Sequence, residues 1–311
     1  MTNPFFLVGS ERSGTTLLRL MLDHHPQIEW CEEFEYTVDK IGDQGEFPNL
    51  KEYTDFLSSD FIFQLSGFKI DPNLSCPQLI RNFLGQRQKK RGKKIIGATV
   101  HRNFDRLLYI WPDAKFIHLI RDGRDVAKSF IRMGWAGNVL TGIQNWQTIE
   151  KLWETLEEKL TNDRKITIYY EDLICDPEKI LNQLCQFMGV EYDAAMLSYP
   201  DDTTYSSPNC EYIQQWRKNL SPSEIQLIET QVSDQLEKLG YQLSGLPPKT
   251  ISSWEKQWLL LQDWWYRFNF RRKKYGNFLF MADFVSRRFD FPLDRTTIQK
   301  RIFQIDAQYL K

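Results

Sequence analysis

"GSERSGTTLLRLMLDHHP", residues 9–26, decides how this chain of 311 residues is read. It follows the apolar run "PFFLV" at 4–8 and leads into Leu17, Leu18, Met21 and Leu22 at helical spacing. A short buried strand, a glycine turn and an amphipathic helix open a parallel α/β unit. The turn keeps the spacing of a nucleoside-triphosphate loop, with Gly9, four residues, Gly14 and then Thr16. That pattern places a lysine before the final Ser or Thr, and here Thr15 stands in its place. Glycine turns aim successive backbone N–H groups at an anion, and the following helix adds its positive end. The nearest cation is Arg12, whose guanidinium can fork onto two oxygens of one oxyanion. The loop therefore suits one anionic group rather than a triphosphate with its lysine and carboxylate-held Mg²⁺.

Working outward, "KKIIGATV" at 93–100, "KFIHLI" at 115–120 and "KITIYYEDL" at 165–173 read as three more strands. Helices are expected from Asp122 through "DGRDVAKSFIRM" and across 140–160, where Ile143, Trp146, Ile149 and Trp153 share a face. A further helix is capped by Asp176, has Pro177 in its first turn and ends at Gly189. Another begins at Ser221 and Pro222, and residues Cys31 to Arg91 read as a variable insertion with helices. Strands alternating with helices predict an α/β fold, a parallel central sheet flanked by helices on both faces. In such a sheet a ligand sits at the carboxyl ends of the strands. A second oxyanion site fits there: Arg121 ends the 115–120 strand, and Ser129 follows eight residues later, about two helical turns on. A salt bridge of Arg121 with Asp122 or Asp125 is the purely structural alternative.

The net charge of −1 argues against wholesale nucleic-acid binding, but it averages two unlike parts. From Leu246 onward there are 13 Lys/Arg against 6 Asp/Glu, and before it 27 against 35. That tail also holds 15 of the 44 aromatic residues. A basic, aromatic, helical extension at 246–311 is thus expected after a main domain at 1–245. Its residue types suit a membrane surface, a dimer contact or core packing. The five cysteines form no Cys-x-x-Cys pair, and with the four histidines they give no zinc spacing. Reduced thiols in a cytoplasmic protein, peripheral to a membrane at most, are the expectation. No run reaches the roughly 18 apolar residues of a spanning helix, and "MTNPFFLVGS" lacks the basic start of a secretory signal.

The two motifs, "FFLVGSERSGTTLLRLMLDHHP…CEE" and "WPDAKFIHLIRDGRDVAKS", together resemble the sulfotransferases that use 3′-phosphoadenosine 5′-phosphosulfate (PAPS), over about residues 4–240. The likeness is to the tyrosylprotein-type and related bacterial branch, and it implies a P-loop-like sulfotransferase fold. It implies that Arg12, Ser13, Gly14, Thr15 and Thr16 hold the 5′-phosphosulfate and that Arg121 and Ser129 hold the 3′-phosphate. A donor with one sulfuryl-bearing phosphate needs neither the missing lysine nor a metal, and its product is 3′,5′-adenosine bisphosphate. The resemblance places a glutamate base 21 residues beyond Arg12, at Glu33, with the adjacent Glu32 as the other candidate. Tyr170 matches a nucleotide-contacting tyrosine, and Arg217 with Lys218 matches a late phosphate-contacting segment. His24 and His25 read as capping or packing residues.

One departure stands out. Relatives carry a catalytic lysine in a Gly-x-Lys-x-Pro-like segment, where this chain has "IGATVHR" with Thr99, His101 and Arg102. The expected activity is sulfuryl transfer to a hydroxyl on tyrosine, a glycan or a lipid. A P-loop kinase-like phosphotransferase and a non-catalytic nucleotide-binding module are the alternatives.

Overall fold

The computed structural model describes residues 3–288 and 295–309. The chain forms two compact units, Met1–Asp122 with Trp146–Gln215, and Gly123–Asn145 with Trp216–Lys311.

The first unit is built on a five-stranded sheet in which every pairing is parallel. Its strands are β1 (Phe5–Val8), β2 (Ile28–Glu33), β3 (Ile95–Val100), β4 (Lys115–Ile120) and β5 (Lys165–Tyr169), in the order β2-β3-β1-β4-β5. β1 is central because all four of its residues are apolar and buried. Alternate side chains serve opposite faces, as strand periodicity requires. Phe6 and Val8 join Ala98, Val100 and Phe116 under the helices Leu50–Ser59 and Cys76–Arg91. Phe5 and Leu7 join Ile117 and Leu119 against the helices Thr15–Asp23 and Pro177–Met188. Val8 pairs level with Val100 and His118, so β1 and β3 end together, β4 runs two residues further to Ile120, and their carboxyl ends lie along one rim.

Four of the five strands match the apolar runs of the sequence. β2 does not, since "IEWCEE" carries an acid in its middle. Glu29 is only 2% exposed, and its charge is met by Arg87 at 2.6 Å and Lys93 at 3.8 Å. A buried carboxylate persists only when paired in this way, and its basic partners lie more than fifty residues away.

Cys175 and Cys210 form a disulfide, with Cα atoms 5.0 Å apart. This corrects the expectation of five reduced thiols, although Cys31, Cys76 and Cys185 are free and buried. The partners are 35 residues apart, and no spacing pattern links them. A cytoplasmic location, expected from reduced thiols, loses that support at this pair.

In the second unit the helix Gly123–Arg132 buries its first turn. The Arg124 guanidinium stacks 3.7 Å from the centre of the Trp216 ring and donates to Glu229 at 2.6 Å. Asp125 accepts the Trp216 backbone N–H at 2.6 Å. The C-terminal part is helical, with Ser253–Tyr275, Asn277–Arg288 and Arg295–Tyr309. Among the described residues no helix is long and apolar enough to cross a membrane.

Candidate functional site

Each strand of the first unit delivers a chemically distinct side chain or loop just past its carboxyl end. β1 runs into the glycine loop, β2 ends on Glu33, β3 is followed by His101, β4 by Arg121 and β5 by Tyr170.

The loop needs its special residues. Gly9 has φ 147°, and a Cβ there would lie 2.2 Å from the Leu119 carbonyl oxygen. Gly14 has φ 97°, and a Cβ there would lie 2.4 Å from the Tyr170 ring. Arg12 is one of three non-glycine residues with positive φ among the described residues, at 68°. Backbone strain of this kind clusters where a loop is shaped for a ligand. The helix Thr15–Asp23 starts at Gly14 with no side-chain cap and no acid in its first turn. The N-cap glycine has no side chain to satisfy the first-turn N–H groups, an arrangement suited to an oxyanion. The Ser13 hydroxyl is buried and has no hydrogen-bond partner among the described residues.

Charge reinforces this reading. Burial lowers the Arg12 pKa, and the nearby Arg121 lowers it further, while Tyr205 and Tyr170 act the other way. An anion bound beside Arg12 would favour the guanidinium charge that burial and Arg121 disfavour. The Arg121 guanidinium lies 4.3 Å from the centre of the Tyr170 ring and donates to the Arg12 carbonyl at 3.2 Å. It also donates to the Tyr212 carbonyl at 3.4 Å, two residues beyond the disulfide's Cys210. Beside it, burial raises Glu171 to about 6, and its carboxylate accepts the Asp122 N–H at 3.0 Å.

The structure separates several pairs that the sequence left together. Glu32 leans toward Arg19 at 3.8 Å, whereas Glu33 is close enough to Glu35 to raise that residue's pKa. Glu35 is buried and raised chiefly by desolvation, and it accepts the His101 backbone N–H at 2.9 Å. His101 is buried, with Nδ1 3.0 Å from the Gly9 carbonyl. A carbonyl only accepts, so Nδ1 is the donor in this contact. Arg102 instead donates twice to Asp39, at 2.9 and 2.6 Å. His24 caps its helix through Nδ1 and the Leu20 carbonyl, and His25 bonds the Glu191 carbonyl.

Of the residues expected from the sequence, Arg12, Ser13, Gly14, Thr15, Thr16, Glu33, Arg121 and Tyr170 belong to the first unit. Ser129, Arg217 and Lys218 belong to the second, where Ser129 is half-buried on the helix Gly123–Arg132. Arg217 and Lys218 are exposed on the short helix Trp216–Asn219, and the Arg217 guanidinium lies 4.3 Å from the Trp216 ring centre. Glu35, Glu171 and Tyr205 were missed. The alternation in "CEEFE" was a signal for Glu35, and "YYED" contained Glu171.

Comparison with known proteins identifies the family and the fold. A family model described as Sulfotransferase family matches residues 4–194. The chain therefore belongs to the Sulfotransferase family, enzymes of sulfuryl transfer. Protein-tyrosine sulfotransferase A of Caenorhabditis elegans is 22% identical over 79% of this chain and 70% of its own length. Protein-tyrosine sulfotransferase 1 of Danio rerio is 25% identical over 78% of the chain and 73% of its own length. The chain spans about half of the similar Drosophila melanogaster protein-tyrosine sulfotransferase, at 52%. Among solved structures, the sulfotransferase domain of the Synechococcus PCC 7002 olefin synthase superposes with a TM-score of 0.59 at 23% identity. That match covers 78% of this chain and 97% of the other. The sulfotransferase domain of the curacin biosynthetic pathway gives 0.59 at 20% identity, over 78% and 99%. At these identities both establish the fold.

Proposed function

We propose that this chain moves the sulfuryl group of PAPS onto a hydroxyl acceptor. The observation that carries this reading is the cradle of half-buried Arg12 and Gly14 and buried Ser13 beside Arg121, with a Ser13 hydroxyl that has no hydrogen-bond partner among the described residues. The donor supplies a sulfuryl group already activated by its link to phosphate. Arg12, Ser13, Thr15, Thr16 and the first-turn N–H groups hold the 5′ end. Arg121 is the ligand of the 3′-phosphate from the first unit, with Tyr170 fixing its orientation. Ser129, Arg217 and Lys218 are assigned to the same donor by their motif positions.

Glu33 takes the acceptor's proton while the new oxygen–sulfur bond forms and the bridging oxygen–sulfur bond breaks. Arg12 stabilises the charge left on the bridging oxygen. His101 supplies the second positive group, in place of the lysine its segment lacks, because Arg102 is committed to Asp39. A tyrosine phenol is the first acceptor to try, since the similar proteins are named for tyrosine; glycan and lipid hydroxyls come next.

The test compares Arg121→Ala with the native chain on two nucleotides. Affinity for 3′,5′-adenosine bisphosphate should fall roughly tenfold to a hundredfold, the worth of one charged hydrogen-bonding partner. Affinity for adenosine 5′-phosphosulfate, which lacks the 3′-phosphate, should hardly change. Equal losses on both would remove Arg121 from that role.

A further inference from the structure

The helix Ser253–Tyr275 in the second unit presents two opposite faces. One face is anchored. Asp263 accepts from the Gly137 N–H at 2.6 Å and the Thr141 hydroxyl at 2.7 Å. The Leu259 carbonyl accepts from Asn138 at 2.7 Å, Tyr266 donates to the Ile131 carbonyl at 3.2 Å, and Phe270 packs on Gly134. Positions 259, 263, 266 and 270 form a single stripe. The other face carries Trp254, Trp258, Leu261 and Trp265, with the same spacing and almost the reverse direction.

That second stripe is bare. Trp254 is 88% exposed, Trp258 66% and Trp265 58%, and Phe278 on the next helix is 85% exposed. Monomeric soluble proteins rarely show a contiguous apolar patch beyond about 300–600 Å². Three open indoles and a phenylalanine need a covering surface.

The charges indicate what covers it. Arg272 continues the stripe one helical step beyond Trp265 and Phe268, and Lys273 follows it. Neither has an ion-pair partner among the described residues. The helix's two acids are withdrawn, Glu255 to Lys249 at 2.9 Å and Asp263 to the anchored face. The exposed face is therefore apolar along its length and basic at its C-terminal end. Indoles settle at the headgroup level of a bilayer, and arginine and lysine there bind anionic lipid. A protein–protein interface core would be depleted of lysine.

We propose that the Ser253–Tyr275 helix lies in the surface of an anionic membrane, its Trp254–Trp265 stripe inserted and Arg272 and Lys273 on the headgroups. This stands apart from the donor site, so it survives or fails separately.

The experiment is co-sedimentation of the full chain with phosphatidylcholine vesicles, with and without phosphatidylserine. Binding should require phosphatidylserine and weaken with salt. Trp258→Ser with Trp265→Ser should abolish it while leaving the melting temperature unchanged. Arg272→Gln with Lys273→Gln should cut it by about twenty-fivefold, on the order of fivefold per basic residue lost. A native chain that stays in the supernatant with anionic vesicles overturns the proposal. So does a native dimer that the tryptophan variants convert to a monomer, because the stripe then covers a second copy.

Discussion

The Arg121 guanidinium rests 4.3 Å from the centre of the Tyr170 ring, and that ring fills the space beside Gly14. The end of β4, the start of the helix after β5 and the loop after β1 are thereby held as one piece. A methyl group on Gly14 would meet the ring at 2.4 Å and would also need φ 97° from a residue with a side chain. Gly14→Ala should therefore displace both the loop and Tyr170. Binding of 3′,5′-adenosine bisphosphate by calorimetry should fall at least tenfold in this variant. Native affinity would mean the loop is not the nucleotide cradle.

Glu33 stands at the end of β2, on the same rim as the loop, and Glu32 beside it leans to Arg19. Removal of a general base costs typically a hundredfold or more in rate. Glu33→Gln should lose at least that much turnover and keep its bisphosphate affinity. Glu32→Gln should retain most of its activity. A reversed pattern would move the base to Glu32.

His101 and Arg102 are neighbours in sequence with opposite commitments, one to the Gly9 carbonyl and one to Asp39. Single-turnover rates should drop about a hundredfold to a thousandfold in His101→Ala, the scale of one transition-state donor. His101→Lys should recover much of that loss, and Arg102→Ala should show little change. A large loss in Arg102→Ala with none in His101→Ala would exchange their roles.

Glu171 is raised from the ordinary glutamate value of 4.5 to about 6 by burial. An acid whose folded pKa lies above its unfolded one binds protons more readily in the native state. Its charge then opposes folding above pH 6, and that cost vanishes as pH falls through 6 toward 4.5. Glu171→Gln keeps an oxygen for the Asp122 N–H. It should raise stability by about 1–2 kcal/mol at neutral pH and by almost nothing near pH 4.5. Denaturant melts at the two pH values measure this. A destabilised variant at neutral pH would mean that the carboxylate's charge is favourable where it sits.

Much of this site was legible because local patterns encode it. β1, β3, β4 and β5 are apolar runs, and the segments carrying Arg12 and Arg121 follow two of them directly. β2 was hidden because Glu29 interrupts its apolar pattern, and the charges that make burial tolerable come from Arg87 and Lys93. Glu35 meets His101 across 66 residues, and Cys175 meets Cys210 across 35, so neither pairing has a local signature. The aromatic tail could be read as membrane-binding, dimeric or core. Exposure of its indoles, known only once the opposite face of the helix is anchored, narrows that choice.

The most direct test of the account is a thermal-shift titration of the native chain with 3′,5′-adenosine bisphosphate in the presence of a chelator, beside ATP and GTP with Mg²⁺. A ligand that binds only the folded state raises the melting temperature by mass action. The account predicts stabilisation by the bisphosphate at micromolar concentration without metal, and little response to either triphosphate. A response to ATP or GTP with Mg²⁺, and none to the bisphosphate, would contradict it.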